Sequence, residues 1–383
     1  MNVLYIATYE GMSGASYSLI GMINELRKRG VVPYVIVLKP GKIVEVLQQE
    51  NIPYRIVRGY PWVIANNKYK SIKQRLFWLI KQLYNKRAEK IIEKIIEERD
   101  IDIVHINAFT AGIGVIAAKR KRIPCVWHIR EFVEEDLGKR FWNKQKALNR
   151  LEKADCVIAI SNSVKNKFEL QALNAKICVI YNGIPVDEYI TERNERIFSK
   201  SEVTIVIAGR VDPGKGHKEI IKALGKVVQD GNKSVKLLVA GKSQSEEYMQ
   251  EIKDLVEEYK VNSYVEFLGY RSDLPNIFKK ADIAIVASKA EAFGRVTVEA
   301  MMGGCLVIGA DTAGTKELIG DKYGLLYKQG DDLELAEKIE QSLEDYKRMR
   351  TVAEEARKYA LKKFTASNNA EVVLEVYNQL TYK

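Results

Sequence analysis

The sequence predicts an α/β fold built from two doubly wound, Rossmann-like domains that face each other across a cleft. Short apolar runs alternate with longer helical patterns along all 383 residues, and this alternation is typical of βα units. The runs are apolar at nearly every position, as in parallel strands that are covered on both faces. The series occurs twice, with a break near residues 181–185, and the length suits two domains.

The strands of the first domain are predicted from β-branched and apolar runs, and helical patterns such as 15–29 and 86–99 lie between them. The predicted strands of the first domain are 3–8, 34–38, 54–57, 103–105, 125–128, 156–160 and 178–180. Those of the second domain are 204–208, 236–240, 265–268, 283–287, 306–309 and 324–327. The polar stretch 191–201 follows the break, so we place the domains at 1–184 and 185–363.

The composition excludes several classes of protein. No apolar run reaches the ~18 residues of a membrane span, and the first residues are expected to form a strand, not a signal peptide. The four cysteines are unclustered and are expected to be buried free thiols in a reducing cytosol; they are Cys125, Cys156, Cys178 and Cys305. No Cys/His spacing predicts a metal site.

The net charge of +11 belongs to the first domain, where residues 1–184 hold 31 Lys and Arg against 17 Asp and Glu. The charge is densest from Asn66 to Lys90, where basic residues surround apolar and aromatic ones in a helical pattern. From Lys68 to Lys90, this segment could bind an anionic membrane surface. It could equally be a solvated helix whose apolar stripe faces the core. Nucleic acid is a weaker choice, because no recognition motif accompanies the charge.

Two glutamates, Glu291 and Glu299, follow the predicted strand 283–287, the first on a loop and the second in the next helix. Eight helical steps would separate them by roughly 12 Å. A carboxylate pair that hydrolyses a glycosidic bond lies closer, at roughly 5–9.5 Å. The spacing therefore favours two contacts with one extended polar ligand, although a chance match is common for a residue as frequent as Glu.

A basic turn follows the first strand of the second domain. Gly209, Arg210, Lys215 and Gly216 precede a helical pattern, and backbone N–H groups at such a helix start attract an anion. Two full positive charges suit a diphosphate. The turn is not a Walker A loop.

The glycine-containing turn of the first domain, Gly11 to Gly14, does not match Gly-x-Gly-x-x-Gly, and Leu38-Lys39 ends the second strand without an acidic residue. These features disfavour a dinucleotide oxidoreductase. His128 lies at the carboxyl end of a predicted strand, where functional residues of such sheets often lie. A histidine at a strand end is as often structural.

Together these residues resemble the retaining glycosyltransferases of family 4, which have the GT-B fold. The matching pieces follow the family's order over nearly the whole chain: GMSGA at 11–15, DIVH at 102–105, VWH at 126–128, SNSVK at 161–165, NGIPVD at 182–187, Arg210 with Lys215, FLGYRSDLP at 267–275, ADIAIVAS at 281–288, Glu291 with Glu299, and TAGTKE at 312–317.

The resemblance implies transfer of a sugar from a nucleotide diphosphate donor, most often UDP, with the anomeric configuration retained. It implies an acceptor-binding first domain, a donor-binding second domain, and a last helix at 364–380 that packs back on the first domain. It also implies roles for individual residues. Arg210 and Lys215 would hold the diphosphate, Gly14 would approach it, Glu299 would bind the ribose, and Glu291 with the backbone of Phe293 and Gly294 would face the donor sugar. His128 would lie beside the transferred sugar, and Tyr270 or Arg271 near the base.

Members of the family usually need no metal, and no Asp-x-Asp motif lies near either nucleotide-binding turn. We therefore expect no cofactor. The basic first domain favours a glycan or lipid-linked acceptor and a cytoplasmic protein at the inner face of the plasma membrane. A nucleotide-sugar epimerase of the same fold and a non-catalytic sugar- or lipid-binding module remain as alternatives. A GT-B phosphorylase would need a pyridoxal-phosphate lysine that the sequence does not place.

Overall fold

The computed structural model describes residues 1–8, 11–65, 72–190, 198, 202–232, 234–243 and 245–381. The chain divides into two units. Unit 1 consists of Met1–Gly183 together with Ala366–Lys383, and unit 2 consists of Ile184–Thr365. Both units are α/β, and the prediction of two Rossmann-like parallel sheets is confirmed.

Unit 1 is built on a seven-stranded sheet with the order β3-β2-β1-β5-β6-β8-β9, in which every pairing is parallel. All seven strands coincide with predicted ones. The central strands are runs of mostly apolar residues buried on both faces, whereas the edge strand β3 exposes Arg55 and Ile56. Its strands are β1 (Asn2–Ala7), β2 (Val32–Val37), β3 (Tyr54–Ile56), β5 (Ile103–Asn107), β6 (Cys125–Ile129), β8 (Cys156–Ala159) and β9 (Ile177–Val179).

A two-stranded antiparallel sheet of unit 1 is absent from the sequence-based expectation. It pairs β4 (Val63–Ala65) with β7 (Lys139–Phe141). Three-residue strands, one of which contains Lys139 and Arg140, lack the apolar run by which strands are recognised in a sequence.

The helices of unit 1 cover both faces of its main sheet. They are α1 (Gly14–Arg27), α2 (Lys42–Gln49), α3 (Ile72–Glu98), α4 (Val115–Lys121), α5 (Lys144–Leu151), α6 (Asn162–Glu169) and α15 (Ala366–Thr381). The helix expected at 86–99 begins much earlier, at Ile72.

Helix α15 belongs to unit 1 although it follows all of unit 2 in the sequence. Ala370, Val373 and Tyr377 are buried in the same apolar cluster as Leu19 and Ile23 of α1. The Tyr377 hydroxyl also forms a buried hydrogen bond of 2.6 Å with Nδ1 of His105 on β5. The segment therefore completes the core of unit 1.

The outer face of α3 is apolar where a solvated helix would be polar. Its exposed apolar side chains, each 42–64% accessible, are Leu76, Phe77, Leu79, Ile80 and Leu83. Positions 76, 79, 80 and 83 share one helical face, so the interpretation of a core-facing stripe is wrong for these residues. The exposed Arg87, Lys90 and Lys94 continue the same face. Lys68 and Lys70 lie outside the described residues.

Unit 2 is built on a six-stranded parallel sheet with the order β12-β11-β10-β13-β14-β15. Its strands are β10 (Val203–Ala208), β11 (Val235–Ala240), β12 (Val265–Gly269), β13 (Ile283–Val286), β14 (Leu306–Ala310) and β15 (Leu325–Tyr327). Its helices are α7 (Asp187–Ile190), α8 (His217–Gln229), α9 (Glu246–Glu258), α10 (Leu274–Lys280), α11 (Arg295–Gly303), α12 (Ala313–Ile319), α13 (Asp332–Glu344) and α14 (Tyr346–Lys363).

The cysteines are free, but they are less isolated and less buried than expected. Cys125 and Cys305 are buried, whereas Cys156 and Cys178 are only half-buried. The Sγ atoms of the latter two lie 3.7 Å apart, because β8 and β9 are neighbours in the sheet. Spacing in the sequence does not reveal such a pair, since the two residues meet only when the strands pair.

Candidate active site

The strand order of unit 2 reverses between its two central strands. From β10 the chain continues outward to β11 and β12, and from β13 it continues in the other direction to β14 and β15. Loops that leave such a pair of strands diverge and open a crevice at their carboxyl ends, where ligands bind in folds of this type. The basic turn follows β10, and Glu291 follows β13.

The basic turn is shaped by Asp212 and by a close packing contact. The Asp212 carboxylate accepts a hydrogen bond of 2.9 Å from the backbone N–H of Gly214, which caps a single 3-10 turn, and it lies 3.4 Å from the exposed guanidinium of Arg210. Gly216 has a φ of +75°, and a Cβ there would lie 2.4 Å from the carbonyl oxygen of Ala287. Only glycine allows the turn to approach the end of β13 this closely.

Lys215 and Glu291 form an ion pair that joins the two loops. Lys215 Nζ lies 2.6 Å from Glu291 Oε1, and the side chains are 20% and 18% exposed. The backbone N–H of Lys289 donates to the carbonyl of Gly214 at 2.9 Å, which is a second link between the loops. The two predicted site residues, 76 positions apart in the chain, therefore lie together at the centre of the crevice.

The backbone after Glu291 is held by the start of α12. The N–H of Gly314 donates to the carbonyl of Glu291 at 2.9 Å. A Cβ on Gly314 would lie 2.4 Å from the carbonyl oxygen of Phe293. Phe293 is buried, and Gly294 has a φ of +92° at the start of α11. These contacts position the backbone of Phe293 and Gly294 beside the ion pair.

Glu299 lies inside α11 and is only 9% exposed. Burial raises the pKa of its carboxyl group, and the positive charge of Arg295 opposes this. Arg295 Nε lies 2.7 Å from Glu299 Oε1. The buried carboxylate of Glu299 is thus held by an arginine of its own helix.

Arg295 was not singled out from the sequence. Its position four residues before Glu299 is a helical spacing at which opposite charges meet, and that spacing could have identified it.

Tyr270 and Arg271 lie on the loop after β12, which is the edge strand of the sheet. Tyr270 is 70% exposed. The Arg271 guanidinium makes two hydrogen bonds, of 2.8 and 2.7 Å, with the carboxylate of Asp273. No contact joins these residues to Lys215 or Glu291 in the described structure.

In unit 1, Gly14 is the first residue of α1, directly after Ser13, whose hydroxyl caps the helix. His128, at the end of β6, is completely buried. Its Nδ1 lies 3.2 Å from the guanidinium of Arg130, and its Nε2 has no partner among the described residues. Burial and the charge of Arg130 hold the pKa of His128 well below its usual range, so the imidazole is neutral.

A buried polar cluster surrounds His128, and none of its members was predicted to have a role. The Arg130 guanidinium donates to Oδ1 of Asn107, at 2.5 Å, and to Oδ1 of Asn182. The Glu131 carboxylate accepts from the backbone N–H of Phe109 at 2.6 Å, and burial raises its pKa to about 7. The cluster lies at the carboxyl ends of β5 and β6, where unit 1 would bind a ligand.

No group of three His, Cys, Asp or Glu side chains within the described ranges is arranged to hold a metal ion.

Two family models match the chain. The model described as glycosyltransferase family 4 matches residues 12–188, and the model described as glycosyl transferases group 1 matches residues 188–359. A curated relative, the N-acetyl-alpha-D-glucosaminyl L-malate synthase of Bacillus anthracis, is 27% identical over 352 residues, which cover 86% of this chain and 87% of the relative.

A second curated relative matches over a shorter segment of the chain. The N-acetylgalactosamine-N,N'-diacetylbacillosaminyl-diphospho-undecaprenol 4-alpha-N-acetylgalactosaminyltransferase of Campylobacter jejuni is 27% identical over 199 residues, 51% of this chain and 52% of the relative. Among solved structures, Anabaena Alr3699/HepE in complex with UDP has a TM-score of 0.81, with 24% identity over 99% of this chain and 100% of that chain. The same Anabaena protein has been solved with UDP-glucose. The structural likeness shows the GT-B fold.

We predict that Lys215 and Glu291 are energetically coupled in the ligand-free protein. A double-mutant cycle of Lys215→Met and Glu291→Gln, followed by calorimetric unfolding, should give a coupling free energy of about 1 kcal/mol or more, since the pair is largely buried. Lys236 and Glu266 of the same unit are a matched control at the same distance of 2.6 Å, but they are exposed and should couple more weakly. Additive effects of the first two substitutions would contradict the ion pair.

Proposed function

Since the chain belongs to the glycosyltransferases of group 1 and family 4, we propose that it transfers a sugar from a UDP-sugar to a hydroxyl acceptor and retains the anomeric configuration. The observation that carries the donor assignment is the contact of Lys215 with Glu291 across the crevice of unit 2, next to Arg210. This crevice presents cations for a diphosphate and carboxylates for hydroxyl groups at the position where folds of this type bind nucleotides.

The donor would span the crevice. Arg210 and Lys215 would bind the diphosphate, with the N–H groups at the start of α8 adding to the positive potential. The carboxylate of Glu299 would accept hydrogen bonds from the ribose hydroxyls. Glu291 and the backbone of Phe293 and Gly294 would contact the transferred sugar.

The residues outside this crevice are assigned from the family resemblance. Tyr270 or Arg271 would lie near the base, on a loop two strands from β10. From unit 1, Gly14 would approach the diphosphate. His128 would lie beside the sugar and is neutral, so it would donate or accept a hydrogen bond and would not act as a cation.

The reaction breaks the bond between the anomeric carbon and the diphosphate oxygen, and it forms a bond from that carbon to the acceptor oxygen. The leaving diphosphate gains negative charge, which Arg210 and Lys215 are placed to stabilise. We propose that the leaving oxygen takes the proton of the acceptor hydroxyl on the same face of the sugar. This path retains the configuration without a protein nucleophile, and the charge is neutralised by the two side chains without a metal ion.

UDP is proposed as the nucleotide because the Anabaena protein with the same fold was solved with UDP and with UDP-glucose. A lipid-linked or cell-surface glycan precursor is proposed as the acceptor. The Campylobacter relative is named for a diphospho-undecaprenol acceptor, and the outer face of α3 supports an encounter with a membrane.

This face of α3 combines an apolar stripe with a basic extension. Leu76, Leu79, Ile80 and Leu83 would enter the interfacial region of a bilayer, and Arg87 with Lys90 would contact anionic head groups. We propose that the protein binds peripherally at the inner face of the plasma membrane. In the described part of the chain, no helix combines the length and apolar composition needed to cross a bilayer.

The alternatives predict other products. An epimerase would convert the donor sugar in the absence of any acceptor, and a non-catalytic module would bind UDP-sugar without turnover. Incubation of the protein with UDP-sugars, with and without a lipid-linked glycan precursor, distinguishes the three by product analysis.

Arg210→Ala should lower kcat by about a hundredfold or more, because it removes a cation that stabilises the leaving diphosphate. The measurement is turnover of the donor at saturating concentration. Arg348→Ala is the control, since Arg348 is also an exposed arginine of unit 2 near an aspartate. Turnover close to that of the wild type in Arg210→Ala would refute the diphosphate contact.

Glu299→Gln should weaken UDP binding on the order of tenfold, because ribose hydroxyls donate best to an ionised carboxylate. The pKa of Glu299 is raised by burial, so wild-type affinity should fall as the pH is lowered through this raised pKa. Glu299→Gln should lose that dependence. Calorimetric titration with UDP measures both effects, with the exposed Glu337→Gln of α13 as control; equal affinity and pH dependence in Glu299→Gln would rule out the ribose contact.

Leu79→Ser combined with Leu83→Ser should weaken binding to vesicles of phosphatidylcholine and phosphatidylglycerol by on the order of tenfold to a hundredfold, because two apolar side chains lose their burial in the bilayer. Lys86→Gln, Arg87→Gln and Lys90→Gln together should abolish the preference over pure phosphatidylcholine. The control, Leu170→Ser with Leu173→Ser, changes two leucines elsewhere in unit 1 that are more exposed than Leu79 and Leu83. Equal sedimentation of the α3 variants and this control would exclude the α3 face.

A further inference from the structure

Arg130 lies at the centre of the buried polar cluster of unit 1, and the contacts proposed so far do not use it. It follows β6 and is only 6% exposed. Its guanidinium touches side chains from three separate segments of unit 1, which are Asn107 at the end of β5, His128 on β6 and Asn182. The contact with His128 has a consequence for the chemistry of that imidazole.

The hydrogen bond between Arg130 and His128 has only one possible direction. Nη2 of Arg130 lies 3.2 Å from Nδ1 of His128. A guanidinium offers N–H donors and no acceptor, and it is not deprotonated in proteins. Nδ1 of His128 is therefore the acceptor and carries no proton.

The proton of the ring is then on the other nitrogen. Burial, and the positive charges of Arg130 and His105, hold the pKa of His128 well below its usual range, so the imidazole is neutral. A neutral imidazole has one N–H group and one lone pair, and the partner of one nitrogen decides the state of the other. With Nδ1 as the acceptor, Nε2 is the N–H donor.

Two asparagines aim the guanidinium at the imidazole. Nε of Arg130 donates to Oδ1 of Asn107 at 2.5 Å, and Nη1 donates to Oδ1 of Asn182. The amide of Asn107 is itself oriented, because its Nδ2 donates to the carbonyl of Ala15 at 3.4 Å. The donors of a planar guanidinium have a fixed relative geometry, so these two bonds direct Nη2 toward Nδ1 of His128.

The Nε2–H group of His128 is a donor that a ligand could pair. Nε2 is buried and has no hydrogen-bond partner among the described residues. A buried N–H group without an acceptor costs free energy, and a ligand oxygen would remove that cost. His128 also lies at the carboxyl end of its strand, where ligands bind in such folds.

The backbone of His128 is held in place without the guanidinium. The N–H of Ala108 donates to the carbonyl of His128 at 2.8 Å, and β6 is paired with β5 and β8 on either side. The Glu131 carboxylate also links the two strand ends through the backbone N–H groups of Phe109, at 2.6 Å, and of Arg130, at 3.2 Å. Loss of the guanidinium should therefore change the tautomer of the ring and leave the strand in position.

We propose that Arg130 is a positioning residue that fixes His128 in the tautomer with its proton on Nε2, so that the ring donates a hydrogen bond to an oxygen of the transferred sugar. The sugar contact rests on the proposed function. The tautomer follows from the contacts of Arg130 alone.

Nuclear magnetic resonance of the full-length protein with 15N-labelled histidine tests the tautomer. The chain has only three histidines, and the signals of His128 are those lost in His128→Gln. The ring nitrogen without a proton resonates far downfield of the protonated one, and couplings to the ring C–H hydrogens distinguish Nδ1 from Nε2. We expect Nδ1 of His128 to be the downfield nitrogen. The reverse pattern, or a ring protonated on both nitrogens, would overturn the proposal.

Arg130→Met removes the donors, so His128 should lose its single tautomer. Arg150→Met is the matched control, because Arg150 is also a largely buried arginine of unit 1 and donates to the carbonyl of Gly112. This control should keep the wild-type pattern of His128. The signals of His105, which bonds Tyr377 in the core, report whether unit 1 remains folded. A folded Arg130→Met with the wild-type pattern of His128 would contradict the assigned role.

Turnover separates a role through His128 from a merely structural one. With the UDP-sugar that the protein uses, Arg130→Met should lower kcat by about tenfold, the effect of one hydrogen bond. The same substitution should cost little more in a His128→Ala background, because the two residues act as a unit, and fully additive losses would refute this. If the wild type turns over no UDP-sugar, the proposed function and the sugar contact fail together, whereas the spectrum decides the role of Arg130 in either case.

Discussion

The ion pair of Lys215 with Glu291 holds together two loops that leave neighbouring strands and then diverge. Without it, the reversal of strand order between β10 and β13 would leave a crevice whose two walls are linked mainly by backbone contacts. The pair also keeps a cation and a carboxylate partly desolvated at one point, where each interacts more strongly with a ligand than it would in water. The diphosphate and sugar contacts that we propose both depend on this ion pair.

The two units place different kinds of polar group at the carboxyl ends of their strands. Unit 2 presents charges at the surface of its crevice, on turns shaped by glycines and by Asp212. Unit 1 buries a guanidinium and two neutral imidazoles at the corresponding edge of its sheet, and it satisfies Arg130 with amide oxygens of Asn107 and Asn182. A buried cation is costly unless it is hydrogen-bonded, and these amide oxygens supply such bonds.

Much of the fold could be predicted from the sequence because strands buried on both faces are apolar at nearly every position, whereas β4 and β7 are too short, and β7 too polar, to be recognised. The meeting of Lys215 and Glu291 follows from a rule of topology, since both lie just after strands that turn out to be neighbours. Arg295 could have been found from its helical spacing to Glu299. The contacts of Arg130 could not, because they depend on how three separate segments pack.

The return of α15 to unit 1 has a consequence for the order in which the protein forms on the ribosome. Residues 184–365 form one continuous segment of the chain. The core of unit 1 is completed only by α15, whose Tyr377 forms a hydrogen bond with His105, although all seven strands of its main sheet are made first. During that interval the apolar side of α1 lies uncovered. A chain that ended before residue 366 would therefore contain all of unit 2 but would lack part of the core of unit 1.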